Sequence, residues 1–409
     1  MSVTFPAGFV AAGVSCGIKG AAVDASDKDG NPATQIAGAL DLAYVGFADG
    51  LAHSGAAVFT QSGAAAAPVI ISRDHLRRSG GQLRGVLLSS GNANALTGEP
   101  GLSAASLMAS TCARQFGGAP ADYLVCSTGL IGIPFPSDRI EPGVTLIAGA
   151  LGDDANAAGR AAEAIRTTDT FAKQVEVQGD GFRIGGMAKG AAMIAPNMAT
   201  MLSVLTTDAT ISPERAQRAL SEVVDQTFNR ITIDGCTSTN DTVVLLASGI
   251  GGEPNETFEA SLLQAAAKLA YDIVADAEGG SRVGRIRVVG GADVTEAEGA
   301  ARGIAGSLLV KCSLLGGDPY WGRILAEVGA ALSDIDMSRV SVTFQGIKVC
   351  ANGLDATATL SVADRRTVTR RMNEHEIVIE IDLDRGPATV EVLTADIGHG
   401  YLEENRGTS

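Results

Sequence analysis

Residues 189 to 202, KGAAMIAPNMATML, are almost all small or apolar, yet they hold one lysine, one proline and one threonine, Thr200. The stretch that begins there, TMLSVLTTD, has the length and composition of a buried strand. Two readings are open: Thr200 merely starts that strand, or it is a reactive hydroxyl held at its head. A threonine hydroxyl is a weak nucleophile, and one way to activate it without histidine is to make it N-terminal, so that its own α-amine is the base. Such an amine titrates at about 8, against about 10.4 for a lysine. It must first be released. Attack of Thr200 Oγ on the Ala199 carbonyl would turn the peptide into an ester, whose hydrolysis leaves Thr200 at the head of a new chain. The small Ala199 permits that approach, and Pro196 stiffens the bend before it.

The surrounding chain has 409 residues, enough for two domains. At 45% hydrophobic and 19% charged it is globular and not disordered. Its 31 Lys and Arg face 46 Asp and Glu, a net charge of -15 with no basic run, which argues against nucleic acid as a partner. No apolar run is long enough to span a membrane and the start lacks the pattern of a signal peptide, so the cytoplasm is the expected compartment. Cys16, Cys112, Cys126, Cys236, Cys312 and Cys350 are scattered, as are His53, His75, His375 and His399. A zinc site needs such ligands clustered, so reduced thiols and no metal are expected.

Short apolar runs near the start, AAVFT and APVIIS, read as strands, and RGVLLSSGNANALTGEPG reads as a strand over 84–88 running into a polar glycine loop. YLVCSTGLIGIPFP goes from apolar strand to glycine turn. Residues 103–116, 153–166 and 259–275 read as helices. So does SPERAQRALSEVVDQTF, with Ser212 as N-cap, Pro213 at the first position, and Ala216, Ala219, Leu220, Val223 and Val224 on one face. From about 285 the texture changes to alternating runs, RIRVV, RVSVTFQGIKVC, HEIVIEIDL and ATVEVLT. Strands and helices interleave throughout, so the class is layered α/β, with residues 1–284 as the main domain and 285–409 as a smaller C-terminal α/β domain. GFRIGGMAKGAA has Lys189-Gly190-Ala191 where a phosphate loop needs Gly-Lys-Ser/Thr, and GDGFRIGG misses the dinucleotide fingerprint.

GGMAKGAAMIAPNMATML resembles the self-processing segment of the ornithine acetyltransferase family, the bifunctional glutamate N-acetyltransferases of the cyclic arginine pathway. SGNANALTG (90–98), STGLIG (127–132), TTDT (167–170), FNRITIDGCTSTNDT (228–242), DAEGG (276–280) and DPYWGRI (318–324) are similar to that family's other signatures, in its order. The resemblance implies an αββα sandwich core and self-cleavage between Ala199 and Thr200 into an α chain, 1–199, and a β chain, 200–409. It also implies a ping-pong cycle in which Thr200 takes the acetyl group of N2-acetylornithine and passes it to glutamate. Acetyl-CoA is expected as a further donor, no cofactor is expected, and the implied assembly is two α and two β chains.

Thr128 and Gly129 match the family's oxyanion hole. Lys189 matches its substrate lysine, suited to an α-carboxylate, although a lone lysine is otherwise a solvated surface charge. Glu278 matches a binding glutamate suited to the ornithine side-chain ammonium, although it could equally be a helix-end acid beside a glycine turn. Thr167 and Asn405 match further binding residues, and Ser409 or Thr408 a terminal hydroxyl residue. The chain departs from the family at Leu96, Cys236, Tyr320 and in its tail, ADIGHGYLEENRGTS, which leaves the acceptor open. Two alternatives follow: a hydrolase or aminopeptidase of the related fold that uses a serine nucleophile, or a paralogue acting on another acyl amino acid.

Overall fold

The computed structural model describes residues 2–21, 38–195 and 201–406. Strands β1 (Phe9–Val14) and β2 (Leu42–Phe47) pair antiparallel, with Phe9 opposite Phe47. They are followed by β3 (His53–Phe59), helix α1 (Ala67–Ser79), β4 (Gln82–Leu83), β5 (Gly85–Asn92), α2 (Gly98–Phe116) and β6 (Tyr123–Leu130). Next come α3 (Ile140–Ala150), α4 (Ala155–Ala164), β7 (Lys173–Gln178), β8 (Arg183–Lys189) and β9 (Leu202–Ala209). Then α5 (Pro213–Gln226), β10 (Ile231–Thr232), β11 (Thr242–Gly252) and α6 (Phe258–Ala275) complete the first part of the chain.

These elements build two sheets, β1-β2-β5-β6 and β4-β3-β11-β9-β8-β7. Their strands are apolar at consecutive positions because both faces are covered, and the period of two assigns each residue to a side. Val86, Leu88 and Leu124 of the first sheet meet Leu202, Val204, Val244 and Leu246 of the second in the inner core. The intervening Leu87, Tyr123 and Val125 point outward against Met108 and Cys112 of α2 and Val144 of α3. On the far side, Leu205, Val243 and Leu245 pack under Leu220 and Val223 of α5 and Leu269 and Ile273 of α6. The result is helix, sheet, sheet, helix: a four-layer αββα sandwich.

Helix α5 follows its sequence closely. Ser212 accepts the Arg215 N–H with its side chain, and Ala216, Ala219, Leu220, Val223 and Val224 are the buried face. APVIIS corrects the strand reading, because it is the first half of α1. Its β-branched residues suggest a strand, but Pro68 sits in the first helical turn, where its missing N–H costs nothing. Ser72 then donates to the Val125 carbonyl at 2.7 Å, and the His75 ring pairs with the Tyr123 carbonyl at 2.9 Å. The helix is thus tied along β6, and it stops at Gly80, which is left-handed.

The remaining elements are β12 (Val283–Gly291), α7 (Val294–Gly306), α8 (Leu308–Gly316), α9 (Trp321–Ala331), β13 (Ser341–Phe344), β14 (Ile347–Ala351) and β15 (Leu354–Asp355). They end with α10 (Val362–Arg371), β16 (Glu376–Asp382), β17 (Ala388–Ala395) and α11 (His399–Glu404). A third sheet runs β10-β17-β12-β16-β13-β14-β15. Its inward residues, among them Ile286, Val288, Ile379, Ile381, Val390 and Val392, form a separate core with Ile304, Leu314, Ile324 and Val328 of the helices. The edge strand β10 comes from between α5 and β11, so the third sheet is stitched to the sandwich.

Candidate active site

The C-terminal end of β6 runs beside the end of β5, with Thr128 opposite Ser90 and Gly129 opposite Gly91. Gly129 has φ +125, and a Cβ there would stand 2.3 Å from the Gly91 carbonyl carbon, so both conformation and space demand glycine. Thr128 is 2% exposed, and its hydroxyl is buried without a hydrogen-bond partner among the described residues. A buried hydroxyl left unpaired costs about 1 to 3 kcal/mol, and native proteins keep few of them. Among the described residues this donor has no acceptor.

Lys189 ends β8 and lies opposite Leu202 on β9. It is 3% exposed, which disposes of the solvated-charge reading. Burial lowers its pKa against the opposing pull of the Asp169, Asp241 and Glu278 carboxylates, while Lys173 nearby adds to the lowering. Asp169 accepts the Gly190 N–H at 2.7 Å and the Thr167 N–H at 3.1 Å. Burial alone would raise this carboxyl, but the Lys189 and Lys173 ammoniums outweigh it and hold it down to about 2. Lys173 Nζ, fully buried, lies 2.7 Å from Asp169 and 2.5 Å from Asp276, and Thr170 donates to Asp276 as well. One buried cation therefore joins the loop of Thr167, the end of β8 at Lys189 and the turn that carries Glu278.

Glu278 is 7% exposed, and its N–H donates to the Ala191 carbonyl at 2.9 Å. Ala191 is itself buried. Asn405, just past α11, donates through Nδ2 to Glu278 Oε2 at 2.8 Å. The approach is tight: a Cβ on Gly279 would lie 2.1 Å from the Gly400 carbonyl carbon and the Tyr401 nitrogen. The tail helix and the glycine turn thus hold each other.

Two consecutive residues join the halves of the site. Asn240 Nδ2 donates to the Ser127 carbonyl at 2.9 Å and to the Ala93 carbonyl, gripping the residue before Thr128. Asp241, fully buried, accepts the Met201 N–H at 2.8 Å. Burial pushes the Asp241 carboxyl well above its ordinary range, against the lowering effects of the Met201 N–H, Ser238 and Lys189. Met201, the residue before β9, is in this way held beside the Thr128 turn.

Thr128, Gly129, Thr167, Lys189, Glu278 and Asn405 are all placed, and the contacts through Asn240, Asp241 and Lys173 draw them to one end of the sandwich. Ala199, Thr200, Thr408 and Ser409 lie outside the described residues. Of the departures, Leu96 is 70% exposed with φ +56, Tyr320 is exposed beside α9, and Cys236 is exposed with its N–H on Asp234. The residues that sequence reasoning passed over are Asp169, Lys173, Asn240, Asp241 and Asp276. Lys173 had a signal: in KQVEVQ the period of two puts it on the same face as Val175 and Val177. Among the described residues, no group of His, Cys, Asp and Glu could hold a metal ion, and no helix is long and apolar enough to cross a membrane.

Comparison with known proteins agrees with the signatures. The profile of the ArgJ family matches residues 31–407. The arginine biosynthesis bifunctional protein of Thermobifida fusca (strain YX) is 42% identical over 411 residues, covering 100% of both chains. That of Bifidobacterium longum (strain NCC 2705) is 41% identical over 99% of each. Among solved structures, the ornithine acetyltransferase of Mycobacterium tuberculosis complexed with ornithine is 37% identical over 48% of this chain and 94% of its own, with a TM-score of 0.41. The chain belongs to the ArgJ family of arginine-biosynthesis enzymes.

Proposed function

We propose that the protein cleaves itself before Thr200 and then moves the acetyl group of N2-acetylornithine to glutamate through an acetyl-threonine. The observation that carries this reading is the buried Thr128 hydroxyl beside Gly129, unpartnered among the described residues and held next to Met201 at the head of β9. In the first half-reaction the Thr200 α-amine takes the Oγ proton, and Oγ adds to the acetyl carbonyl carbon. The oxyanion is met by Thr128 Oγ–H and the Gly129 N–H. The C–N bond then breaks, and the proton passes to the leaving amine of ornithine. In the second half the glutamate amine attacks the ester, and Thr200 Oγ recovers its proton. A preorganised donor of this kind is worth about 3 to 4 kcal/mol in other enzymes.

Lys189 suits the α-carboxylate common to both amino acids, and Glu278, oriented by Asn405, suits the side-chain ammonium of ornithine. Thr167 and the terminal Ser409 complete the proposed binding set. Free Thr200 would also take acetyl from acetyl-CoA, with CoA leaving, to give the same acyl-enzyme; no cofactor is proposed, and the working form is proposed as two α and two β chains in the cytoplasm. The experiment is acetyl transfer from acetylornithine, with and without glutamate. Ornithine release that depends on glutamate, with acetylglutamate formed in equal amount, is expected. Acetate release that ignores glutamate would instead identify a hydrolase.

A further inference from the structure

The segment between β10 and β11 touches the chain on both sides of the Ala199–Thr200 bond. Upstream, Asp234 accepts the Met193 N–H with Oδ2 and the Ile194 N–H with Oδ1 at 3.0 Å. The Ile233 N–H returns to the Ile194 carbonyl at 2.8 Å. Downstream, Asp241 Oδ1 accepts the Met201 N–H at 2.8 Å, and the Thr242 N–H returns to the Met201 carbonyl at 3.2 Å. Each side is thus fixed by a carboxylate together with a neighbouring backbone N–H. Met193 has φ +55, a conformation that a non-glycine residue keeps only where its surroundings impose it, and the Asp234 carboxylate at its N–H is such a constraint.

We propose that Asp234 and Asp241 are the two jaws of a clamp that positions the Ala199–Thr200 bond for self-cleavage and retains both new chain ends afterwards. The inference rests on Thr200 as the self-released nucleophile. The role proposed for each carboxylate is positioning: Asp234 fixes the backbone at Met193 and Ile194, and Asp241 fixes it at Met201. Misplacement of a reacting group by about 1 Å can cost on the order of a hundredfold in rate, so loss of either jaw slows cleavage. Asp241 Oδ1 accepts the Met201 N–H, and its Oδ2 has no hydrogen-bond partner among the described residues, so asparagine can replace it. Asp234 uses both oxygens, the second also receiving the Tyr401 hydroxyl at 3.3 Å, so asparagine cannot.

The test follows fragment formation on a denaturing gel after cell-free synthesis of the full chain. Asp241→Ala and Asp234→Asn are expected to slow cleavage by about tenfold or more, and Asp241→Asn to restore it to near the wild-type rate. Folding is checked in the uncleaved Thr200→Ala background, where each added substitution should leave the unfolding midpoint close to that of the parent. If Asp241→Ala does not fold, Asp234→Asn carries the test by itself: slowed cleavage supports the clamp and an unchanged rate overturns it. Wild-type cleavage with unaltered rates in Asp241→Ala and Asp234→Asn would overturn the clamp alone. A wild-type chain that stays whole while active would overturn the reading of Thr200 and the clamp with it.

Discussion

The sandwich and the third sheet are built from similar strands but bury charge to different degrees. The third sheet and its helices enclose mainly aliphatic residues around one buried lysine, Lys311, whose Nζ donates to Thr394 and to the Ala395 carbonyl, and ion pairs on its strands, such as Arg287 with Glu380 at 3.5 Å, lie on half-exposed faces. The sandwich instead buries Lys173, Asp169, Asp276, Lys189 and Asp241 at one end. Desolvating charges is expensive, and their mutual attraction offsets it only where geometry is good. The charges of the sandwich are concentrated where three sequence signatures converge, as the proposed site for a zwitterionic amino acid would require.

The contrast can be broken at Lys173. Lys173→Met leaves Asp169 and Asp276 buried without their shared cation and should cost about 3 to 5 kcal/mol in urea unfolding. It should also raise KM for the donor more than it lowers kcat, because Asp169 orients the Lys189 end of β8. The sign with pH follows from Asp169. Its carboxyl is held down to about 2, so the stabilisation is complete above the unfolded carboxylate value of about 3.9 and is lost as pH falls through the folded value.

Next in size is Thr128→Ala, which should lower kcat by about a hundredfold or more with little change in stability, since it removes a donor that has no partner among the described residues. Equal kcat in this variant would mean that the orphaned hydroxyl serves no oxyanion. For Lys189, the pKa is lowered by burial, so the cation is lost earlier than from an ordinary lysine. KM for the donor should therefore rise with pH from below about 10.4, and in Lys189→Met it should be high and flat. The smallest effect belongs to the third sheet. Arg287→Ala should change stability by less than about 1 kcal/mol and leave both kinetic constants alone.

Layering was legible because apolar period and length reveal which faces are covered. Within TMLSVLTTD the residues from Leu202 on form β9, buried at every position, and α5 starts at its Ser212 cap. APVIIS was misread because β-branched composition spoke louder than Pro68, while the partners that make it a helix, Val125 and Tyr123, lie far along the chain. The site followed the same rule. Thr128, Lys189 and Glu278 stand in motifs long enough to quote, whereas Lys173 with Asp276, and Asn240 with Ser127, meet only across the fold. A lone charge in a sequence defaults to solvent, and only the alternation of KQVEVQ argued otherwise for Lys173.

The most direct test of the central claim is the intact mass of the fragment that begins at Thr200, measured after incubation with N2-acetylornithine. The account predicts a gain of one acetyl group on Thr200, discharged when glutamate is added. A fragment that never carries acetyl while transfer proceeds, or an acetyl group that glutamate does not remove, would contradict it.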